Sequence, residues 1–349
     1  MFYYKGLEEI IFSKHELLSD SPDELIIISG YLGPAPIERL SELPKMQITV
    51  IGGMYPSGID VRLHRSLEKI QEKNQSLTIK YTEQEIHSKI YIWKRNGKIL
   101  SALIGSANFS SNGLRTDYRE SLTDAMDDTF SSLDEYYNFI LDHSSEIPII
   151  DRNQKMVNIP NSELLVDAQK KFSAEIPLYS IKGKKETVPP SSGLNWGLAR
   201  LGKNKSHVAP GDAYIRLPKE IIKTNPSLFK ALDPKFSSPV GERKRNSEPI
   251  ELIWDDGTVM EASLEGSQKY NGKKYPKQLA SFSSSRPRSN ISKKSILGRY
   301  IRHRLNVGID EVIKLSTLED YGRTTITLSL IEDGVYYADF SVEQKNSES

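Results

Sequence analysis

Cysteine is absent from the 349 residues. That removes disulfides and thiolate metal sites and makes the reducing cytoplasm the expected compartment. No apolar run approaches the roughly 18 residues that a membrane-spanning helix needs, so no membrane partner is expected. The stretch Met1 to Leu18 carries Glu8, Glu9 and Glu16 and lacks the shape of a signal peptide. Wholesale disorder is excluded as well, because a chain with 37% hydrophobic and 27% charged residues can build an ordinary core. The length suits two domains of usual size, or one large one.

Acidic residues are missing from one window. The net charge is only +1, but residues 1–150 hold 15 Lys/Arg against 22 Asp/Glu, and the remainder holds 32 against 24. Residues 266–309 contain eleven Lys/Arg and no Asp or Glu. The asymmetry predicts two domains, the second of which meets a polyanion.

The first part of the chain alternates strand-like and helix-like patterns. Strands are expected at Glu24–Ser29, Met46–Ile51 and Ser76–Tyr81, with a short helix at Pro36–Leu43. A helix is expected at Asp60–Asn74, where Val61, Leu63, Leu67 and Ile70 recur at helical spacing. A hairpin is expected from His87–Trp93 and Lys98–Ile104 around the turn Arg95-Asn96-Gly97, then an amphipathic helix over Leu122–Leu141. This pattern predicts an α/β domain over 1–172. Residues 173–192, with Pro177, Lys182, Pro189, Pro190 and serines, read as a linker. Over 193–349 short β-like runs recur at Ala213–Leu217, Ile250–Trp254, Val259–Leu264, Gln278–Phe282, Thr324–Leu330 and Val335–Phe340. Helices are expected at Lys219–Phe229 and Ser295–Leu305. The second domain is therefore expected to be mostly β, a barrel or sandwich.

The strongest chemical signal is His87-Ser-Lys89 followed, across the hairpin, by Gly105-Ser106-Ala107-Asn108. Alternation along a strand puts His87 and Lys89 on one face. An imidazole can act as nucleophile or proton carrier, and an ammonium can hold a phosphate oxygen. The returning strand brings small residues close, and Ser106 and Asn108 supply donors of the oxyanion-hole kind. Clustered carboxylates for a metal-dependent nuclease are not evident: Glu343-Gln344-Lys345 lies in a polar tail, and Glu83 and Glu85 have no convincing partner. No metal or cofactor is therefore expected.

This pair of motifs resembles the phospholipase D superfamily. The resemblance implies that His87 is a nucleophile that becomes phosphorylated, without a metal, while Lys89, Ser106 and Asn108 bind phosphate. It also implies that Glu120 orients the histidine. The sequence departs from the family pattern at Lys94, where an aspartate is usual. The other histidines (His15, His64, His143, His207 and His303) lack a lysine two residues on. Family sites use two copies of the motif, so the resemblance implies a homodimer with one site at its interface.

In the basic window, Lys269, Lys273, Lys274, Lys277 and Gln278 are interleaved with Tyr270, Tyr275 and serines, a mixture suited to phosphate anchoring and base-edge contacts. A second candidate DNA-contacting run holds Asn195, Trp196, Arg200, Lys203 and Lys205. The two-part layout is similar to the NgoFVII/BfiI group of restriction endonucleases. That similarity implies a plant B-three-like pseudobarrel at 193–349 that grips double-stranded DNA with two arms, Ser192–Lys205 and Gln268–Gln278. Some members act with a separate ATPase subunit, and that partner stays open here. The expected activity is Mg²⁺-independent, site-specific hydrolysis of DNA. A nonspecific nuclease, a lipid phosphodiesterase and a DNA-binding regulator with a decayed site are the alternatives.

Overall fold

The computed structural model describes residues 1–151, 172–183, 185–202, 207–232, 239–240, 243–244, 247–282 and 292–342. They fall into two compact units, one within 1–158 and one within 159–349.

The first unit is built on an eight-stranded sheet. Its strands are β1 (Phe2–Tyr3), β2 (Glu24–Ser29), β3 (Gln47–Gly52), β4 (Leu77–Thr82), β5 (Ile90–Arg95), β6 (Lys98–Gly105), β7 (Leu122–Asp124) and β8 (Ser144–Ser145). Their spatial order is β1-β7-β6-β5-β2-β3-β4-β8. The central β2 runs parallel to β3 and antiparallel to β5. Its Leu25, Ile26, Ile27 and Ile28 are all fully buried, as expected of a strand covered on both faces. Helices α1 (Leu7–Ser13), α2 (Pro34–Arg39), α3 (Val61–Lys73), α4 (Ser111–Leu114) and α5 (Phe130–Asp142) accompany it. Asp60 caps α3 by accepting the Arg62 N–H at 2.7 Å, and Leu63, Leu67 and Ile70 form its buried stripe.

The first half departs from the sequence reading in two places. Strand β5 begins at Ile90, so His87–Lys89 form the segment that leads into it. The helix expected over Leu122–Leu141 is β7, a short turn and then α5 from Phe130. Leu122 is buried in the sheet, while Met126 stands exposed in the turn between the two elements.

The second unit contains a seven-stranded sheet. It is formed by β9 (Ser173–Pro177), β10 (Ile215–Arg216), β11 (Ser247–Trp254), β12 (Val259–Glu265), β15 (Gln278–Ser281), β16 (Thr325–Glu332) and β17 (Val335–Asp339). Between β12 and β15 runs a separate hairpin of β13 (Gln268–Tyr270) and β14 (Lys273–Tyr275). Sheet order is β9-β16-β17-β11-β12-β15-β10. Helices α6 (Lys219–Thr224), α7 (Ser295–Arg304) and α8 (Leu315–Tyr321) complete it. One core, including Ile176, Leu217, Leu252, Leu279, Leu297 and Leu328, is shared by the strands and α7, so this half is a mostly-β pseudobarrel. The stretch 173–192 is not a plain linker. β9 pairs antiparallel with β16 and buries Ala174 and Ile176. Only two buried side chains, with Pro177 closing the strand, made the pattern faint; proline is tolerated at such an edge.

Candidate active site and DNA-contacting surface

Gly30, at the end of β2, is the point on which the first site converges. A Cβ placed there would lie 2.9 Å from His87 Cδ2 and 3.2 Å from both Asn108 Oδ1 and Lys89 Nζ. Imidazole, ammonium and amide thus meet over one bare α-carbon. Three local devices hold them. The Tyr31 N–H donates to Asn108 Oδ1 at 3.2 Å, which leaves the amide nitrogen as the donor for a ligand. The Lys89 ammonium donates to the His87 carbonyl. The Tyr31 ring meets His87 edge-on, with centroids 6.4 Å apart.

Behind this group the loops are tied to buried elements. Ser29 Oγ accepts from Phe109 N at 2.9 Å and donates to Tyr31 O at 2.6 Å, joining the two loops. The fully buried Tyr91 hydroxyl donates to Ala107 O at 2.7 Å. Arg115, just past α4, chelates the Glu8 carboxylate at 2.6 and 2.9 Å, and Arg39 on α2 adds a contact at 2.9 Å. Burial works to raise the Glu8 pKa, but hydrogen bonds and charge from Arg115 and Arg39 outweigh it and hold it below the usual carboxylate range.

His87 is exposed, Lys89 is buried and Asn108 is half-buried. Burial pushes the Lys89 pKa below the usual lysine value, and the charge of Glu120 partly restores it. Glu120 therefore acts on Lys89; among the described residues no hydrogen bond joins it to His87. Ser106 is exposed, and its hydroxyl accepts from Ser121 N at 3.1 Å. Lys94, at the position of the family's usual aspartate, is buried against α5, where it pairs with Asp134 and lies 4.6 Å from the Tyr137 ring centroid. Gly30 and Tyr31 were not singled out from sequence. A Gly-Tyr after an apolar strand carries no local mark of what packs against it. Among the described residues, no group of three His, Asp or Glu side chains is placed to hold a metal ion.

In the second unit, a concavity of about 950 Å³ brings Ser192, Gly193 and Leu194 together with Gln268, Lys277 and Gln278. The two predicted arms therefore flank one cleft, whose wall includes Tyr214 and Arg216. Beside it, Asn271 and Gly272 adopt φ of 44° and 73° and close the β13–β14 hairpin. Lys269, Lys273, Lys274 and Lys277 are all exposed, and no ion pair engages them among the described residues.

The sequence reading of Asn195 requires correction. It is fully buried and completely engaged. Its Nδ2 donates to Pro189 O and Ile313 O at 3.0 and 2.8 Å, and its Oδ1 accepts from Ile313 N and Arg302 Nη2 at 2.9 and 3.2 Å. It is an internal strut with no donor or acceptor to offer a base. Arg200 pairs with Asp310 and donates to Gly197 O. Trp196 is half-buried against Tyr214, with Lys294 5.8 Å from its ring centroid. Gln278 donates to Glu265 Oε2 at 3.4 Å, and Lys294 pairs with the same carboxylate. Lys203 and Lys205 lie outside the described residues.

An α/β unit in which a histidine, a lysine and an asparagine converge over one glycine, followed by a mostly-β unit with exposed lysines beside a cleft, is a two-domain arrangement suited to a polyanion. The family described as NgoFVII restriction endonuclease N-terminal PLD domain matches residues 5–159, and NgoFVII C-terminal B3-like DNA-binding domain matches residues 171–332. The chain belongs to the NgoFVII restriction endonuclease family: it joins a phospholipase D-type nuclease domain to a B3-like DNA-binding domain. No curated protein matches it. Among solved structures, it is similar to NucT from Helicobacter pylori, at 19% identity and a TM-score of 0.29 over 40% of this chain and 86% of that one. It is also similar to polyphosphate kinase from Porphyromonas gingivalis, at 16% identity and a TM-score of 0.26 over 44% of this chain and 24% of that one. No helix among the described residues is long and apolar enough to cross a membrane.

Proposed function

We propose that the protein is a site-specific, Mg²⁺-independent DNA endonuclease of the type II restriction kind, acting through a phospho-histidine. The observation that carries this reading is the convergence of His87, Lys89 and Asn108 over Gly30. The imidazole nitrogen of His87 attacks phosphorus as the P–O bond to the leaving oxygen breaks. Lys89, with donors from Ser106 and Asn108, takes up the charge on the non-bridging oxygens. Water then attacks the phospho-histidine, freeing the imidazole and leaving a phosphate monoester end. The leaving oxygen needs a proton, and the chain supplies one His-x-Lys. A second copy of the chain therefore completes the site, its own His87 acting as general acid. The cleft flanked by Ser192–Leu194 and by Gln268, Lys277 and Gln278 reads the target sequence, and the exposed lysines of β13–β14 anchor phosphates.

The test is digestion of plasmid DNA in EDTA by the purified protein and by His87→Ala. Discrete fragments from the wild type alone are expected. Cleavage by both proteins, appearing only when Mg²⁺ is added, would overturn the mechanism.

A further inference from the structure

We propose that Tyr4 and Tyr118, flanked by Lys5, form a stacking site for an unpaired nucleobase beside the scissile phosphate. This deepens the nuclease reading and rests on it. The strand register sets the placement. Tyr3 pairs with Leu122, Leu122 with Gly105, Ile104 with Ile90 and Ile90 with Ile28. All these pairings are antiparallel, so Tyr4–Lys5, Tyr118–Ser121, Ser106–Asn108, His87–Lys89 and Gly30–Tyr31 leave the sheet at the same end. Three strand steps separate β1 from β5, which at about 4.8 Å each is about 14 Å. A strand whose phosphate rests at His87 covers that distance with its next nucleotides.

The surface itself is unusual for a folded protein. Tyr4 is 45% exposed and Tyr118 56% exposed, with Phe2 at 62% beside them. The Tyr4 and Tyr118 rings lie 5.3 Å apart, and the Lys5 ammonium sits 4.6 Å from the Tyr118 ring centroid. Tyr118 adopts φ of 66°, a left-handed conformation costly for a bulky side chain. Its N–H is tied to Tyr4 O at 2.7 Å, which fixes the two aromatic residues to one another. Strain of this kind holds a ring in solvent and buries nothing. Every base has a π-face, and a ring pair with a neighbouring cation recognises a base and the phosphate next to it. A second copy of the chain fits less well, because lysine is depleted from the cores of protein interfaces. In a duplex the base faces are already stacked, so the occupant is a nucleotide unpaired near the cut.

The test uses the full chain carrying His87→Ala, to prevent turnover, and a short single strand containing 2-aminopurine. Binding should quench the 2-aminopurine emission. Tyr118→Asn, which suits the left-handed backbone, should weaken binding about tenfold and restore the emission, whereas Tyr118→Phe should keep both. The same substitutions should leave binding of a fully paired duplex unchanged. Equal binding and quenching by Tyr118→Asn would overturn the proposal. So would a fall in sedimentation mass on that substitution, which would make the surface a subunit contact. Wild-type cleavage of plasmid in a parallel assay separates the two readings. Cleavage with Tyr118-independent binding sinks the stacking site alone, while no cleavage with Tyr118-dependent binding sinks the nuclease reading and leaves a single-strand-binding surface.

Discussion

At the scale of single residues, the site depends on an atom that is missing. Gly30 has no Cβ, and the space it leaves is bounded by His87, Lys89 and Asn108. An added methyl would be tighter than van der Waals contact with all three, and the histidine ring would have to move. Displacement of about 1 Å costs about 10²-fold in rate when geometry is catalytic. Gly30→Ala should therefore lower cleavage about 10²-fold while thermal unfolding and duplex binding stay near wild type. Full activity would show that the convergence is not the reacting geometry. Lys89 gives a second prediction. Its pKa is lowered by burial and partly restored by Glu120. A phosphate-holding lysine must be charged, so the rate should fall as pH rises through that lowered pKa. Glu120→Gln removes the supporting charge, lowers the pKa further and should shift the alkaline limb of the pH–rate profile to lower pH. A limb that stays in place would sever Glu120 from Lys89. The placement of His87 beside Lys89 was legible in the sequence, because the two are close in the chain. Gly30, Tyr31 and the structural duty of Asn195 were not, because their partners come from distant segments.

At the scale of elements, strands were legible wherever apolar residues ran together. Glu24–Ser29 coincides with the expected strand, and the expected runs at Ile250–Trp254 and Val259–Leu264 lie within β11 and β12. Edge elements were not, since β9 buries only Ala174 and Ile176 and leaves Glu175 between them exposed. Among the described residues, the acid-free window over 266–309 holds cations engaged in the fold and cations exposed to solvent. Arg302 and Arg304 serve the fold: Arg304 chelates Asp255 at 2.8 and 3.1 Å, and Arg302 holds the carbonyls of Gly308 and Glu311. The acidic partner of Arg304, Asp255, lies outside the window and Arg302 is held by backbone carbonyls, so a local count could not separate either from the exposed lysines. Lys273 and Lys274 belong to the second group, on a hairpin whose Asn271-Gly272 turn projects them into solvent. Replacing each by Ala should weaken duplex binding similarly across sequences. Each should also make the plot of log K against log salt shallower by about 0.9 per lost phosphate contact. An unchanged slope, measured by fluorescence anisotropy over a salt series, would remove the hairpin from the DNA interface.

At the scale of the whole molecule, charge and motif count bear on assembly. The proposed phosphate site lies in the acidic half and the cleft in the basic half, a division that under the proposed function would let the second unit hold DNA for a first unit with little net attraction of its own. The chain has one His-x-Lys, and a phosphodiester displacement needs a nucleophile and an acid on opposite sides of phosphorus. If His87 of one protomer attacks while the partner's His87 protonates the leaving oxygen, each dimer has one composite site and both histidines are required. Dimers assembled from one wild-type chain and one differently tagged His87→Ala chain distinguish this from two independent sites. A composite site predicts that the purified mixed dimer loses about 10²–10⁴-fold in rate, the usual share of general acid catalysis or more. Independent sites predict half of the wild-type rate, because one intact protomer would cut unaided. Retention of half activity would thus place both proton donor and nucleophile within a single chain and turn the search toward Lys89 as the acid.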